Sequence, residues 1–252
     1  MTRVKDLIAY IDEIAPFCYQ EEWDNSGFLI GEPDKVVKKI GFCLDLSAQA
    51  LESAKAECVD LIITHHPVIF RAQKSFTAGN IAYEAAAAGI SVISAHTCYD
   101  AADGGVNDVL CGLLGLENVK EAEHGSVKSI LRCGETKITS AVSLAEKTAQ
   151  VLNTTVRLSD AGRQIHNVAV CGGAGGDLWK YALSGGADAY ITGEASHHEI
   201  LDACAAGLTM IIAGHYETEN PAVFELKKRV TQRFNDVETA MLKYKNPVEY
   251  IR

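Results

Sequence analysis

Asp60-Leu61-Ile62-Ile63-Thr64 running into His65-His66-Pro67 is the stretch on which the reading of this chain turns. A short apolar, β-branched run that ends in chemically active side chains fits a parallel strand covered on both faces, and open α/β sheets bind ligands at the carboxyl ends of such strands. Two more runs share this form. Ile90-Ser91-Val92-Ile93-Ser94-Ala95 leads into His96-Thr97-Cys98-Tyr99-Asp100, and Leu208-Thr209-Met210-Ile211-Ile212-Ala213 leads into Gly214-His215-Tyr216-Glu217-Thr218-Glu219. Histidines and carboxylates from distant parts of the chain are therefore expected to meet at one crevice. Imidazole nitrogens mixed with carboxylate oxygens suit a divalent transition metal, and bridging carboxylates suit a pair of ions.

The surrounding sequence extends this frame. Val4, Leu7, Ile8, Ile11 and Ile14 fall on one face of a helix over residues 3–14, which Pro16 stops. After a loop containing Trp23-Asp24-Asn25-Ser26-Gly27, residues 39–44 read as a strand, 47–58 as a helix and 60–64 as the next strand, a βαβ unit. A helix over 81–88 ends at Gly89, ahead of the strand at 90–95. The pattern then returns: Cys43, Asp60 and Thr64 recur as Cys171, Asp188 and Thr192, each 128 positions on, and the segment Ala85–Gly89 recurs as Ala203–Gly207, 118 positions on. Residues 126–160 add edge structure, with strands at Val127–Cys133 and Thr155–Leu158 and a helix at Ser143–Leu152. The fold class expected is α/β, with two similar domains from an internal duplication, 1–125 and 126–252, sheets flanked by helices and a metal site in the crevice between them. The final segment has the option of packing back on the first domain.

At 252 residues and 48% hydrophobic content the chain has ample material for a core. A formal charge of −10 argues against non-specific nucleic-acid binding, which depends on clustered Lys and Arg. An anionic substrate must then be held by metals or by local donors. The N-terminus lacks the continuous apolar stretch of a signal peptide, and no segment approaches the roughly 20 apolar residues that span a bilayer. The expectation is a cytoplasmic protein with no membrane partner. Eight cysteines are scattered without a C-x-x-C pair, which speaks against a zinc knuckle or a thioredoxin-type motif and for most of them being reduced, buried small hydrophobes.

Each candidate residue has a plainer reading beside the chemical one. His65 and His66 diverge, so each could serve a different ion, and Pro67 restricts His66 to extended backbone; a pair of turn histidines is the alternative. Asp100 follows His96 by four residues and shares its face on a helical turn, although Asp100 or Asp103 could equally cap the helix that starts near Asn107. Asp103, followed by Gly104 and Gly105, has the chemistry of a turn. His215 and Glu219 stand at i, i+4 on a helix that Asn220-Pro221 could interrupt, and Glu219 could instead be a carboxylate favoured by the helix dipole. His198 reads as a contact beside the metal or substrate, and His197 as a surface residue. Gly172-Gly173-Ala174-Gly175-Gly176 follows a strand as phosphate-binding turns do, but without the Lys-Ser/Thr of a P-loop, and close backbone packing explains it as well.

Taken in order, Trp23–Gly27, Thr64–Pro67, Ser94–Asp100, Gly104–Asp108, Thr192-Gly193-Glu194 with His198, and Gly214–Glu219 resemble the Nif-three-like family, whose bacterial members are labelled GTP cyclohydrolase type-two homologues. The resemblance spans nearly the whole chain. It implies a dinuclear site of two divalent ions (Zn, Fe or Mn) with His65, His66, Asp100, His215 and Glu219 as ligands, Glu219 being shared. It also implies a homohexamer built as a trimer of dimers, in the short form that lacks the domain some relatives insert between the halves. The activity expected is metal-dependent hydrolysis of a purine nucleotide such as GTP, or of a phosphoester, with His96 and His198 as catalytic proton carriers. The alternative is a metal storage or delivery protein for iron or zinc, without turnover.

Overall fold

The computed structural model describes residues 1–123, 125 and 128–249. In chain order the helices and strands are α1 (Val4–Ile14), β1 (Gly27–Ile30), β2 (Lys39–Cys43), α2 (Ala48–Ala56), β3 (Leu61–Thr64), α3 (Ile81–Ala87), β4 (Ser91–Ser94), α4 (Thr97–Ala101), α5 (Val106–Leu114), β5 (Glu117–Glu121), β6 (Arg132–Glu135), α6 (Ala141–Leu152), β7 (Arg157–Ser159), β8 (Asn167–Cys171), α7 (Trp179–Ser184), β9 (Ala189–Thr192), α8 (His197–Ala205), β10 (Thr209–Ile212), α9 (His215–Arg233) and β11 (Glu238–Met241). They form two compact units, one of Met1–Ala102 with Val223–Glu249 and one whose described residues lie within Asp103–Ala222. The division thus follows α4, not residue 125, and the final segment belongs with the first unit because β11 pairs in parallel with β2. Residues Ser126 and Val127, at the expected join and strand start, lie outside the described residues; the strand itself is β6, which begins at Arg132.

The first unit holds a five-stranded sheet in the order β1-β4-β3-β2-β11, with β1 antiparallel to β4 and the other pairings parallel. The second holds six strands in the order β5-β6-β8-β9-β10-β7, parallel across β8, β9 and β10 and antiparallel at both sides. Alternation of side chains along the central strands explains why both faces are covered. Val168, Val170, Ala189, Ile191 and Ile211 pack with Leu110 of α5 and Leu144 of α6, whereas Ala169, Cys171, Tyr190, Met210 and Ile212 pack with Ala182 of α7 and Ala203 of α8. In the first unit Cys43, Ile62 and Val92 pack with Leu51 and Ala54 of α2 and Ala85 of α3.

The central three strands of the two units share register. Ile40 pairs with Leu61 and Cys43 with Thr64; Val168 pairs with Ala189 and Cys171 with Thr192. One carboxylate closes the open end of each layer: Asp60 Oδ2 accepts from the backbone N–H groups of Lys38 and Lys39 at 2.8 and 3.2 Å, and Asp188 Oδ2 accepts from those of His166 and Asn167 at 2.9 and 3.0 Å. Two departures from expectation have simple causes. Helix α9 continues through Pro221, because burial of Ala222, Val223 and Leu226 beyond it outweighs the loss of one N–H donor. All eight cysteines are free; Cys43, Cys98, Cys111 and Cys171 are buried, but Cys18 and Cys58 are exposed.

Replacing Asp188 by Ala leaves two strand-start amides without their carboxylate and is expected to lower the unfolding free energy by about 2 kcal/mol. Urea titration beside Asp60→Ala checks this, and a loss under about 0.5 kcal/mol at both positions would remove the closing role assigned to these carboxylates.

Candidate metal centre

In the first unit the ladder hydrogen bonds run on past the strand ends and carry the functional residues with them. The N–H of His65 donates to the Cys43 carbonyl at 3.3 Å, that of His66 to Leu44 at 3.0 Å and that of Ala95 to Thr64 at 2.9 Å. The residues just beyond β2, β3 and β4 are therefore brought side by side. Ring centroids of His65, His66 and His96 are 5.0 to 5.4 Å apart, and one ligand atom of each lies within 4.8 Å of the other two. Asp100, buried on α4, places Oδ1 3.6 Å from His65 Nε2. The turn of α4 sets this up, since the Asp100 N–H donates to the His96 carbonyl at 3.1 Å.

Each of the three imidazoles is held by Nδ1. His65 Nδ1 donates to the Ala95 carbonyl at 2.8 Å, His66 Nδ1 to Asp45 Oδ1 at 2.7 Å and His96 Nδ1 to Asp24 Oδ1 at 2.7 Å. A carbonyl or carboxylate only accepts, so the proton sits on Nδ1 and a neutral ring keeps its lone pair on Nε2. This is how metal-binding histidines are oriented, through a second hydrogen bond to a carbonyl or carboxylate. The donor set of the first unit therefore fits a divalent transition metal.

Asp24 and Asp45 are the residues whose function the motif reading left unassigned. Asp24 also accepts from Thr97 Oγ1 at 2.6 Å, Ser26 Oγ at 2.7 Å and the Thr97 N–H at 3.1 Å, so the Trp23–Gly27 loop is an anchor for His96. Burial raises the Asp24 carboxyl, but the hydrogen bond and charge of His96, with the hydroxyls of Thr97 and Ser26, hold it well below the usual carboxylate range. Asp45 follows β2 closely, and the carboxyl-end rule for parallel strands was the available signal.

In the second unit the turns after β8, β9 and β10 are tied together through glycine. The Glu194 N–H donates to the Gly173 carbonyl at 2.8 Å, the Gly214 N–H to Gly193 at 3.0 Å, and the Gly173 N–H to Thr218 Oγ1 at 3.0 Å. Glu219, buried one turn into α9, lies with Oε2 3.0 Å from His215 Nε2, as the i, i+4 spacing requires. Glu194 Oε2 is 3.3 Å from His215 Nδ1. A Cβ on Gly173, which has φ +63°, would overlap Glu219 Oε1 and come within 3.2 Å of His215 Nε2. The glycine run thus serves close packing against the His215 and Glu219 pair. A carboxylate and an imidazole fixed in this way are again metal-ligand chemistry.

Of the sequence-derived ligands, His65, His66 and Asp100 come together in the first unit, and His215 and Glu219 in the second. His96, expected as a proton carrier, stands among the first set. His198 is exposed on the first turn of α8 with Nδ1 3.0 Å from Ser196 Oγ, and His197 is also exposed. Asp103 is exposed and paired with Lys128 at 3.0 Å.

Comparison with known proteins places this arrangement among relatives. The model of the family described as Duf34/NIF3 (NGG1p interacting factor 3) matches residues 2–247. A Clostridium perfringens protein named GTP cyclohydrolase 1 type 2 homolog is 30% identical over 99% of this chain and 100% of its own length. A Streptococcus pneumoniae protein of the same name is 34% identical over 79% of this chain and 81% of its own. The crystal structure of Staphylococcus aureus protein SA1388 superposes with a TM-score of 0.89 at 25% identity, covering 99% of both chains.

Asp24→Ala is expected to lower stability by about 3 kcal/mol at neutral pH. Because folding depresses the Asp24 pKa, that stabilisation is present above the ordinary aspartate range near 4 and fades as pH falls below it, so the gap to wild type in urea titrations should close in acid. Gly173→Ala is expected to cost about 1–2 kcal/mol from its positive φ and, by displacing Glu219, to weaken Zn2+ binding roughly tenfold in titration calorimetry. Unchanged zinc affinity would rule out a positioning role for this turn.

Proposed function

Because the chain belongs to the Duf34/NIF3 family, we propose that it is a dinuclear divalent-metal protein and a metal-dependent hydrolase of a purine nucleotide or phosphoester. The proposed ligands are His65, His66, Asp100, His215 and Glu219, with Glu219 shared between the ions. The observation that carries the reading is the common Nδ1 anchoring of His65 and His66, which turns the Nε2 edge of each ring to the ligand role. The relatives' name, GTP cyclohydrolase 1 type 2 homolog, supports GTP as the first substrate to try.

Divalent ions held by these residues would supply Lewis-acid polarisation of a substrate oxygen or ring nitrogen and would acidify water. The chain's own part is to orient and to move protons. His96, with Nδ1 committed to Asp24, is placed to exchange a proton at Nε2. His198, at the exposed start of α8, is the second proton carrier in this reading. Asp45 holds His66 in one tautomer, and Ala95 does the same for His65.

The recurrence of register across the two central layers supports an origin by internal duplication. A homohexamer acting in the cytoplasm completes the proposal. Among the described residues no helix is long and apolar enough to cross a membrane.

Metal analysis of purified protein, wild type beside Glu219→Ala, followed by a GTP and phosphoester turnover assay on the same samples, tests the reading. The expected result is close to two ions per wild-type chain, with metal and turnover both reduced at least tenfold in the variant. Two ions without turnover would move the assignment to metal storage or delivery, and a metal-free wild type that takes up no Zn2+, Fe2+ or Mn2+ would overturn it. Light scattering should find six chains per particle.

A further inference from the structure

Two large aromatic side chains in the first unit stand in solvent beside the histidine cluster. Trp23 is 58% exposed and Phe70 43% exposed. Their ring centroids are 5.8 Å apart, and both rings approach His96, at 5.7 Å and 6.1 Å with interplanar angles of 73° and 69°. They come from separate segments, the loop before β1 and the loop after β3, and a 2.6 Å hydrogen bond from Asn25 Nδ2 to the Ile69 carbonyl ties these two loops together next to the rings. The same loops hold the cluster: Asp24 anchors His96, and Phe70 follows His66 by four residues. A side chain that serves packing alone would be expected to be buried, and these two remain about half exposed.

Exposed aromatic faces next to a polar site are the usual means of holding a flat ring, because every base has a π-face and stacking asks for no particular hydrogen-bond pattern. We propose that Trp23 and Phe70 form a stacking platform that holds the planar heteroaromatic ring of the ligand beside His96. This deepens the purine-nucleotide reading above and rests on it for the identity of the ring. The platform recognises the ring itself and makes no demand on the sugar or phosphate.

The chain has two tryptophans, so Trp179→Phe leaves Trp23 as the sole tryptophan reporter. In zinc-loaded protein of this background, GMP should quench Trp23 emission saturably, and ribose 5-phosphate, which lacks the ring, should not. Phe70→Ala should weaken GMP binding about tenfold with zinc content unchanged, and Phe70→Tyr should restore it. Trp23→Ala, followed by equilibrium dialysis with GMP, should show a similar loss. Equal GMP affinity in Phe70→Ala and its parent, ribose 5-phosphate binding as tightly as GMP, or zinc-loaded protein that binds no GMP would each overturn the platform while leaving the metal centre standing. If instead the chain takes up no zinc, the same titration on metal-free protein separates the two ideas: quenching that still depends on Phe70 keeps the platform and removes the hydrolase reading, and its absence removes both.

Discussion

Parallel pairing of β2, β3 and β4 makes Cys43, Thr64 and Ser94 neighbours across three strands, and everything chemically active in the first unit follows from that alignment. Strands that run the same way end on the same side. Residues 21 and 30 positions apart, such as Asp45, His66 and His96, therefore emerge together although they are distant in the chain. A one-residue slip would send each of these side chains to the opposite face, so register and site stand or fall together. The buried, β-branched character of Leu61–Thr64 and Ser91–Ser94 is what holds the register.

Alignment alone does not make a ligand of a histidine; the ring must also turn the right nitrogen outward. Three acceptors of different origin do this work: a backbone carbonyl for His65, Asp45 for His66 and Asp24 for His96. Asp24 is the most heavily committed, because it also takes hydrogen bonds from Ser26 and Thr97 and so joins the loop before β1 to the start of α4. A shielded carboxylate with that many donors stays ionised, and its fixed charge gives His96 a different electrostatic setting from His65, whose Nδ1 faces a neutral carbonyl.

The second unit shares the register of the first unit's central strand pair but carries different side chains at the strand ends. At the 128-residue offset, His65 and His66 correspond to Gly193 and Glu194, and Asp45 to Gly173. Glycine replaces functional side chains there because three turns crowd together: a Cβ on Gly193 would press on the Gly173 and Gly214 carbonyls and on Thr218 Oγ1. The space so gained is taken by Glu219, whose carboxylate lies against Gly173. The second unit's own histidine pair, His197-His198, belongs to the exposed start of α8.

By itself the sequence determined the α/β class, the central strands and the helices between them, because burial on both faces and the helical repeat are local patterns written in consecutive residues. It was silent on β5, whose five residues are all exposed, and on β11, which has no fully buried residue and joins β2 across nearly 200 positions. Edge strands carry little hydrophobic signal, since one side and often one face remain in water. Only tertiary structure decided that residues 223–249 return to the first unit, that Asp24 and Asp45 orient His96 and His66, and that Gly173 makes room for Glu219. Those are contacts between residues far apart in the chain, and no short-range periodicity encodes them; they exist once the registers of the two sheets have fixed where each strand ends.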